Sequence, residues 1–208
     1  MRPEITTFPG CDDAPLARAL LRLLAEGRPV TTGALAQAIG RTTDDVLVEL
    51  RRWPNVERDG DGRVVGFSGL TLNATAHRFE LDGHTLYTWC AWDTLFLPAL
   101  LKTAARVRST CAVTGTAVEL EVTPDGVRRA EPADLYVSFP PQSTTDVANI
   151  VGTFCCHVQF LAGAEAARQW SAGHPAGTVL DVSAAFHLDC QTVLPLTAGY
   201  GGRGCDKP

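Results

Sequence analysis

Apolar residues recur at helical spacing through the first third of the chain, then at alternating spacing through the middle. Leu16, Leu20, Leu23 and Leu24 lie three or four positions apart behind Asp13 and Pro15, which predicts a helix that Asp13 caps. Thr32 to Ile39, closed by Gly40, predicts a second short helix. A third starts at Thr42 or Thr43, sets Asp44 and Asp45 against the positive end of its dipole, and presents Val46, Leu47 and Leu50 on one side. Val56 to Phe67 reads as two short strands about a turn at Asp59-Gly60 and Asp61-Gly62. Three helices and a hairpin outline a winged-helix-like unit over residues 1–70.

From about Thr71 the period changes to that of strands. Phe79 and Leu81 alternate with polar neighbours, Asp82-Gly83 turns the chain, and Leu86 to Trp89 lead into Cys90. Cys90 to Leu101 is helical in character. Strands are expected at Ala105–Cys111, Ala117–Val122 and Ala133–Phe139, and an extended apolar run around Phe154–Leu161. Further helices fit Ala164–Trp170 and Val182–Leu194, the second bounded by Pro195. The expected class is α+β, with a core over 71–197 and a glycine-rich tail over 198–208 expected to be mobile.

Composition narrows the function. At 208 residues the chain can bury a real apolar core, and 45% hydrophobic with 20% charged residues is ordinary for a soluble globular protein. The net charge is −5 and there is no long basic run, which argues against nucleic acid as a partner. Leu95–Leu101 is broken by Pro98 and followed by Lys102, too short for a membrane span, and Met1-Arg2-Pro3-Glu4 has no signal-peptide core. A cytoplasmic location is expected. Seven cysteines, an odd number at irregular spacing, do not form a disulfide framework; several should be free thiols.

Three cysteine features are candidates for chemistry. In Cys90-Ala91-Trp92-Asp93, a helix starting at Cys90 would put Asp93 on the same face and lower the thiol pKa at the helix N-terminus. The same spacing also fits a buried core cysteine followed by an ordinary first-turn carboxylate. Cys155 and Cys156 on an extended segment point to opposite faces, so at most one of them can meet Cys90; both could equally be core fillers. His157 beside an apolar run reads as structural, and no spacing suggests a structural zinc site. Cys205 is isolated in the tail, and Cys11 and Cys190 have no chemical context.

Taken together these stretches resemble a known family. Tyr87-Thr88-Trp89-Cys90-Ala91-Trp92-Asp93-Thr94-Leu95-Phe96-Leu97-Pro98-Ala99-Leu100 is similar to the signature of the organomercurial (alkylmercury) lyases. Phe154-Cys155-Cys156-His157-Val158-Gln159-Phe160 resembles their second cysteine motif, and Ser109-Thr110-Cys111-Ala112-Val113-Thr114-Gly115 a segment whose cysteine is structural. The resemblance runs from the first helix to Leu194. It implies a winged-helix-like part joined to a mixed core of antiparallel strands with flanking helices. It also implies that Cys90, Asp93 and Cys155 are catalytic and hold the mercury, and that Cys156 is dispensable. Trp92, where a smaller apolar residue is frequent, and Gln159, where histidine is common, depart from the pattern.

The implied reaction suits these residue types. Mercury(II) is a soft ion with thiolate as its natural protein ligand. Cys90 binds the mercury of R–Hg–X, Cys155 joins it and pushes electron density into the Hg–C bond, and Asp93 relays a thiol proton to the leaving carbon. A carboxyl desolvated against Trp89, Trp92 and Phe154 would hold that proton at neutral pH. The products are RH and Hg(II) on both thiolates, passed to small external thiols or a mercuric reductase, in mercury detoxification and resistance. No organic cofactor is required. The rivals are a winged-helix sensor of soft metals, a thiol-redox protein, and a lyase relative repurposed for another thiol-dependent reaction.

Overall fold

A computed structural model describes residues 14–188. Asp13, Cys11, Cys190, Cys205 and the tail therefore lie outside the described residues. The first helix, α1 (Ala14–Ala25), buries Leu16, Leu20 and Leu24 together with Ala17 and Leu21, so its apolar stripe is two rows wide. Next, α2 (Thr32–Ile39) begins where the Thr31 hydroxyl accepts the Ala34 N–H and ends at Gly40, whose φ of 66° closes the last turn. In α3 (Thr43–Arg52) the Thr42 hydroxyl accepts the Asp45 N–H at 3.2 Å and donates to the Asp45 carboxylate at 2.6 Å. Val46 and Leu50 are buried and Leu47 half-buried; Trp53 then stacks on Phe67 with ring centroids 5.1 Å apart.

Eight antiparallel strands form the main sheet, in the order β1-β2-β3-β5-β4-β6-β7-β8. They are β1 (Glu57–Arg58), β2 (Val64–Phe67), β3 (Leu70–Thr71), β4 (His77–Leu81), β5 (His84–Thr88), β6 (Ala105–Thr110), β7 (Ala117–Thr123) and β8 (Gly126–Glu131). The pairing of β3 with β5 carries this sheet without a break from the N-terminal hairpins into the core. Helix α4 (Asp93–Leu101) follows β5 directly. A second antiparallel sheet, β10-β9-β11, contains β9 (Leu135–Phe139), β10 (Phe160–Ala162) and β11 (Thr178–Asp181). Between its strands lie α5 (Ile150–Thr153) and α6 (Gly163–Gly173), and α7 (Val182–Phe186) closes the described chain.

The α+β class and most predicted elements are as expected, and the exceptions have physical reasons. Strand β8 escapes detection because its sequence, Gly-Val-Arg-Arg-Ala-Glu, has no apolar alternation; as an edge strand it half-buries only Val127 and Ala130 among its side chains. Strand β11 is missed for the same reason, with Val179 and Leu180 only half-buried. The helix expected to run from Val182 ends at Phe186, with His187 in a turn, and residues 189–194 lie outside the described residues. The run around Phe154–Leu161 is extended only at its end. Cys155–His157 forms a 3₁₀ turn held by the N–H of Val158 on the Cys155 carbonyl.

Candidate active site

Cys90 lies in the short connection between β5 and α4, not in the helix. Thr88 donates its hydroxyl to the Cys90 carbonyl at 2.9 Å, and Thr94 donates to the Ala91 carbonyl at 2.6 Å. Asp93, the first residue of α4, accepts the Cys90 N–H on Oδ2 at 2.8 Å, so the carboxyl folds back over the cysteine it follows. This local ring explains why the spacing of three matters: it lets a side chain close on the backbone of the residue that carries the thiol.

Three hydrogen bonds bring the distant cysteine to this ring. The Ala91 N–H donates to the Val158 carbonyl at 3.1 Å, which docks the Cys90 connection against the turn that carries Cys155. Ser138, fully buried on β9, donates to the His157 carbonyl at 2.8 Å and accepts the Gln159 N–H at 3.0 Å, fixing the far side of that turn. The result is that the sulfurs of Cys90 and Cys155 and a carboxylate oxygen of Asp93 all lie within 4.8 Å of one another. They are 0%, 4% and 5% exposed respectively. Among the described residues no other group of three such ligands comes together.

Burial governs the ionisation of all three. It pushes the Cys90 thiol well above its usual range, helped by its hydrogen bond with Cys155 and by the nearby Asp93 charge. The Cys155 thiol is pulled down by the Cys90 hydrogen bond and pushed up by burial and by Asp93, with a net rise. Burial raises the Asp93 carboxyl to about 7, against the opposing hydrogen bonds from the Cys90 side chain and backbone. The expected lowering of the Cys90 pKa at a helix N-terminus is thus reversed: the thiol sits before the helix, and loss of water outweighs the dipole. The expected raised Asp93 is found.

The remaining predicted residues separate cleanly. Cys156 is exposed, and its thiol donates to the Gly152 carbonyl at 3.0 Å. Only one of the vicinal pair faces Cys90, as expected, though a 3₁₀ turn and not an extended strand divides them. Cys111 is buried away from the site, where its sulfur accepts N–H groups of Thr114 at 3.4 Å and Ala162 at 3.2 Å, tying the β6–β7 turn to the start of α6. His157 is exposed. Gln159 donates from its side chain to the Cys156 carbonyl at 3.2 Å, bracing the turn.

Trp92 packs edge-on against Phe96, Phe139 and Phe154, and its Nε1 donates to the Ala185 carbonyl at 3.0 Å. This departure from the usual pattern therefore anchors α4 to α7, and it is fully compatible with the site. Trp92→Phe would take the indole donor from the Ala185 carbonyl, leaving it the Leu188 N–H at 3.3 Å, and would empty part of a buried aromatic site; the expected cost is about 1–3 kcal/mol, read as a lower urea midpoint with unchanged slope.

Sequence reasoning missed Thr88, Thr94 and Ser138, each a buried hydroxyl that donates to a backbone carbonyl around the thiols. Nothing in their local pattern separates them from ordinary strand and helix hydroxyls. It also missed Gly69. The Ser68-Gly69 pair is a turn signal, but its contact with Asp93 is purely tertiary.

Two buried thiols and one protonatable carboxyl form the donor set of an enzyme site for a soft metal. The family model described as alkylmercury lyase matches residues 70–193, and the helix-turn-helix domain of alkylmercury lyase matches residues 6–68. The chain is 46% identical over 190 residues to an alkylmercury lyase of Streptomyces lividans, covering 91% of this chain and 87% of the relative. An alkylmercury lyase of Pseudomonas putida is 43% identical over 176 residues, covering 84% and 81%. The crystal structure of the mercury-bound form of MerB2 superimposes with a TM-score of 0.72 at 25% identity, covering 88% of this chain and 90% of that one. The chain belongs to the alkylmercury lyase family.

Proposed function

We propose that this protein is an organomercurial lyase that cleaves the carbon–mercury bond by protonolysis, with Cys90 and Cys155 as the mercury ligands and Asp93 as the proton donor. The observation that carries the reading is the convergence of two sulfurs and one carboxyl oxygen within 4.8 Å in a chain of this family. Winged-helix-like residues 1–70 support the core over 71–197. The family matches, which meet between residues 68 and 70, favour this division.

Below about pH 7 the apo site holds its protons, since burial raises all three groups. Both thiols are raised, so neither stands as a free thiolate before the mercurial arrives. The Cys90 sulfur displaces X from R–Hg–X, and its proton leaves in HX. Cys155 then adds to mercury, its proton replacing the one that Asp93, whose Oδ2 accepts the Cys90 N–H, gives up. Three-coordinate mercury weakens the Hg–C bond, and Asp93 delivers the proton to carbon. The sum is R–Hg–X plus two thiols giving RH, HX and Hg(II) on two thiolates, which balances with no organic cofactor.

Turnover requires the metal to leave. Two external thiols exchange for the two protein sulfurs and return both protons to the site. A small dithiol or a mercuric reductase supplies these thiols in a reducing, cytoplasmic setting. Among the described residues no helix is long and apolar enough to cross a membrane.

The test is incubation with phenylmercury and excess thiol. Benzene should appear in the headspace, and with thiol withheld one Hg(II) should stay on each chain. Mercury binding with no benzene above the protein-free control would defeat the lyase reading and leave a soft-metal binding protein.

A further inference from the structure

The Asp93 carboxyl leans on a glycine that neither motif contains. Strands β2 and β3 are joined by a two-residue hairpin in which Phe67 pairs with Leu70. Its central residues, Ser68 and Gly69, have φ of 52° and 89°, the pattern of a type I′ turn. The Gly69 carbonyl accepts the Trp89 N–H at 2.9 Å, which clamps the hairpin tip against the residue before Cys90. A Cβ on Gly69 would lie 2.5 Å from both Cγ and Oδ1 of Asp93 and 3.0 Å from its Cβ. The other oxygen, Oδ2, is held by the Cys90 N–H. The carboxyl is therefore fixed from two sides, by a donor on one oxygen and by a bare Cα against the other.

We propose that Gly69 is a positioning residue for proton delivery: its missing side chain is the wall that sets the Asp93 carboxyl beside the two sulfurs, which makes the tip of the N-terminal β2–β3 hairpin part of the site. The inference rests on the lyase reading for what the carboxyl does, and on contact geometry alone for where it is held. Gly69→Ala must push the carboxyl aside, because the hairpin is pinned by its strand pairing and by Trp89. A displacement near an ångström at a reacting group costs on the order of 10²-fold in rate. Mercury binding depends on the sulfurs, whereas the three atoms nearest the new methyl group all belong to Asp93.

Gly83 supplies a matched control. It occupies the same place in the Asp82-Gly83 turn between β4 and β5, with φ of 81°, and a Cβ there would have nothing within 4 Å. Alanine at either position carries the same backbone strain; only at Gly69 does it meet the carboxyl.

The experiment compares Gly69→Ala and Gly83→Ala for single-turnover benzene release from phenylmercury, Hg(II) stoichiometry and Tm. It then repeats the Tm of Gly69→Ala in an Asp93→Ala background. Gly83→Ala should keep its rate within twofold and lose a few degrees in Tm. Gly69→Ala should bind one Hg(II), release benzene about 100-fold more slowly, and lose more Tm than Gly83→Ala. That extra loss should vanish once Asp93 is alanine. Equal rates in the two glycine variants, or an extra Tm loss that persists without Asp93, would overturn the proposal. If Gly69→Ala does not fold, recovery of folding in the double variant supports it and failure to recover refutes it. Absence of benzene from the unmodified chain would sink the lyase reading alone, since the Tm comparison needs no turnover.

Discussion

Replacing Cys155 by serine will reduce hydrocarbon release on the order of 10³-fold or more, equivalent to about 4 kcal/mol of barrier, while the protein still captures the mercurial. A hydroxyl oxygen is a hard, weakly acidic donor and does not substitute for thiolate sulfur on mercury. With only Cys90 available the substrate stops as a two-coordinate R–Hg–S adduct, whose carbon is not basic enough to take a proton. Cys156 is exposed and next in the chain, so the measurement belongs in a Cys156→Ser background, where no neighbouring thiol can stand in. Intact-mass detection of the R–Hg adduct, paired with headspace analysis of hydrocarbon, reads capture and cleavage separately. Cleavage at the parent rate in this variant would show that one sulfur suffices and remove the two-thiolate mechanism.

Asp93→Asn is the complementary change, since it removes the proton and keeps the shape. The asparagine oxygen can still accept the Cys90 N–H that Oδ2 now accepts at 2.8 Å. Protonolysis should fall by about 10²–10⁴-fold, the usual contribution of a positioned proton donor, with Hg(II) still bound by both sulfurs. The unmodified enzyme should also show cleavage of a preformed adduct declining as pH rises above the Asp93 value of about 7, because the donor form is then lost.

Stability should follow the same group. The folded protein holds the Asp93 proton more tightly than the unfolded chain, whose value is near 3.8. The stabilising contribution is therefore complete below about pH 4 and is lost as pH rises through 7. Three pKa units correspond to about 4 kcal/mol as an upper figure. Urea denaturation across pH 4 to 8 should thus show the parent losing ground to Asp93→Asn as pH rises. Parallel curves for the two proteins would mean that Asp93 is not the group held protonated.

The elements that were legible in the sequence are those with a strong local signal. The starts of α2 at Thr32 and of α3 at Thr42 or Thr43, the stop at Gly40, the turn at Asp82-Gly83 and the alternation in β4, β6 and β7 are all set by neighbours within a few positions. Strands β8 and β11 were not legible, because an edge strand need not bury alternate residues. At the site, Cys90, Asp93 and Cys155 could be picked out because two motifs resemble those of a family. Spacing alone left open whether Cys90 and Asp93 were a core cysteine and an ordinary helix-start carboxylate.

By itself the sequence determined which reactive groups this protein possesses, since the thiols and the carboxyl are covalent facts of the chain. The closing of Asp93 onto the Cys90 N–H is nearly as local, spanning three residues. Tertiary structure alone decided that residues 90 and 155 share a site, through the Ala91–Val158 hydrogen bond and the Ser138 brace. It also decided the charge state, because a pKa responds to how much water the fold removes, and no local pattern records that. The placement of Gly69 against Asp93 belongs to the same category: contact between segments distant in the chain depends on how the whole sheet is assembled.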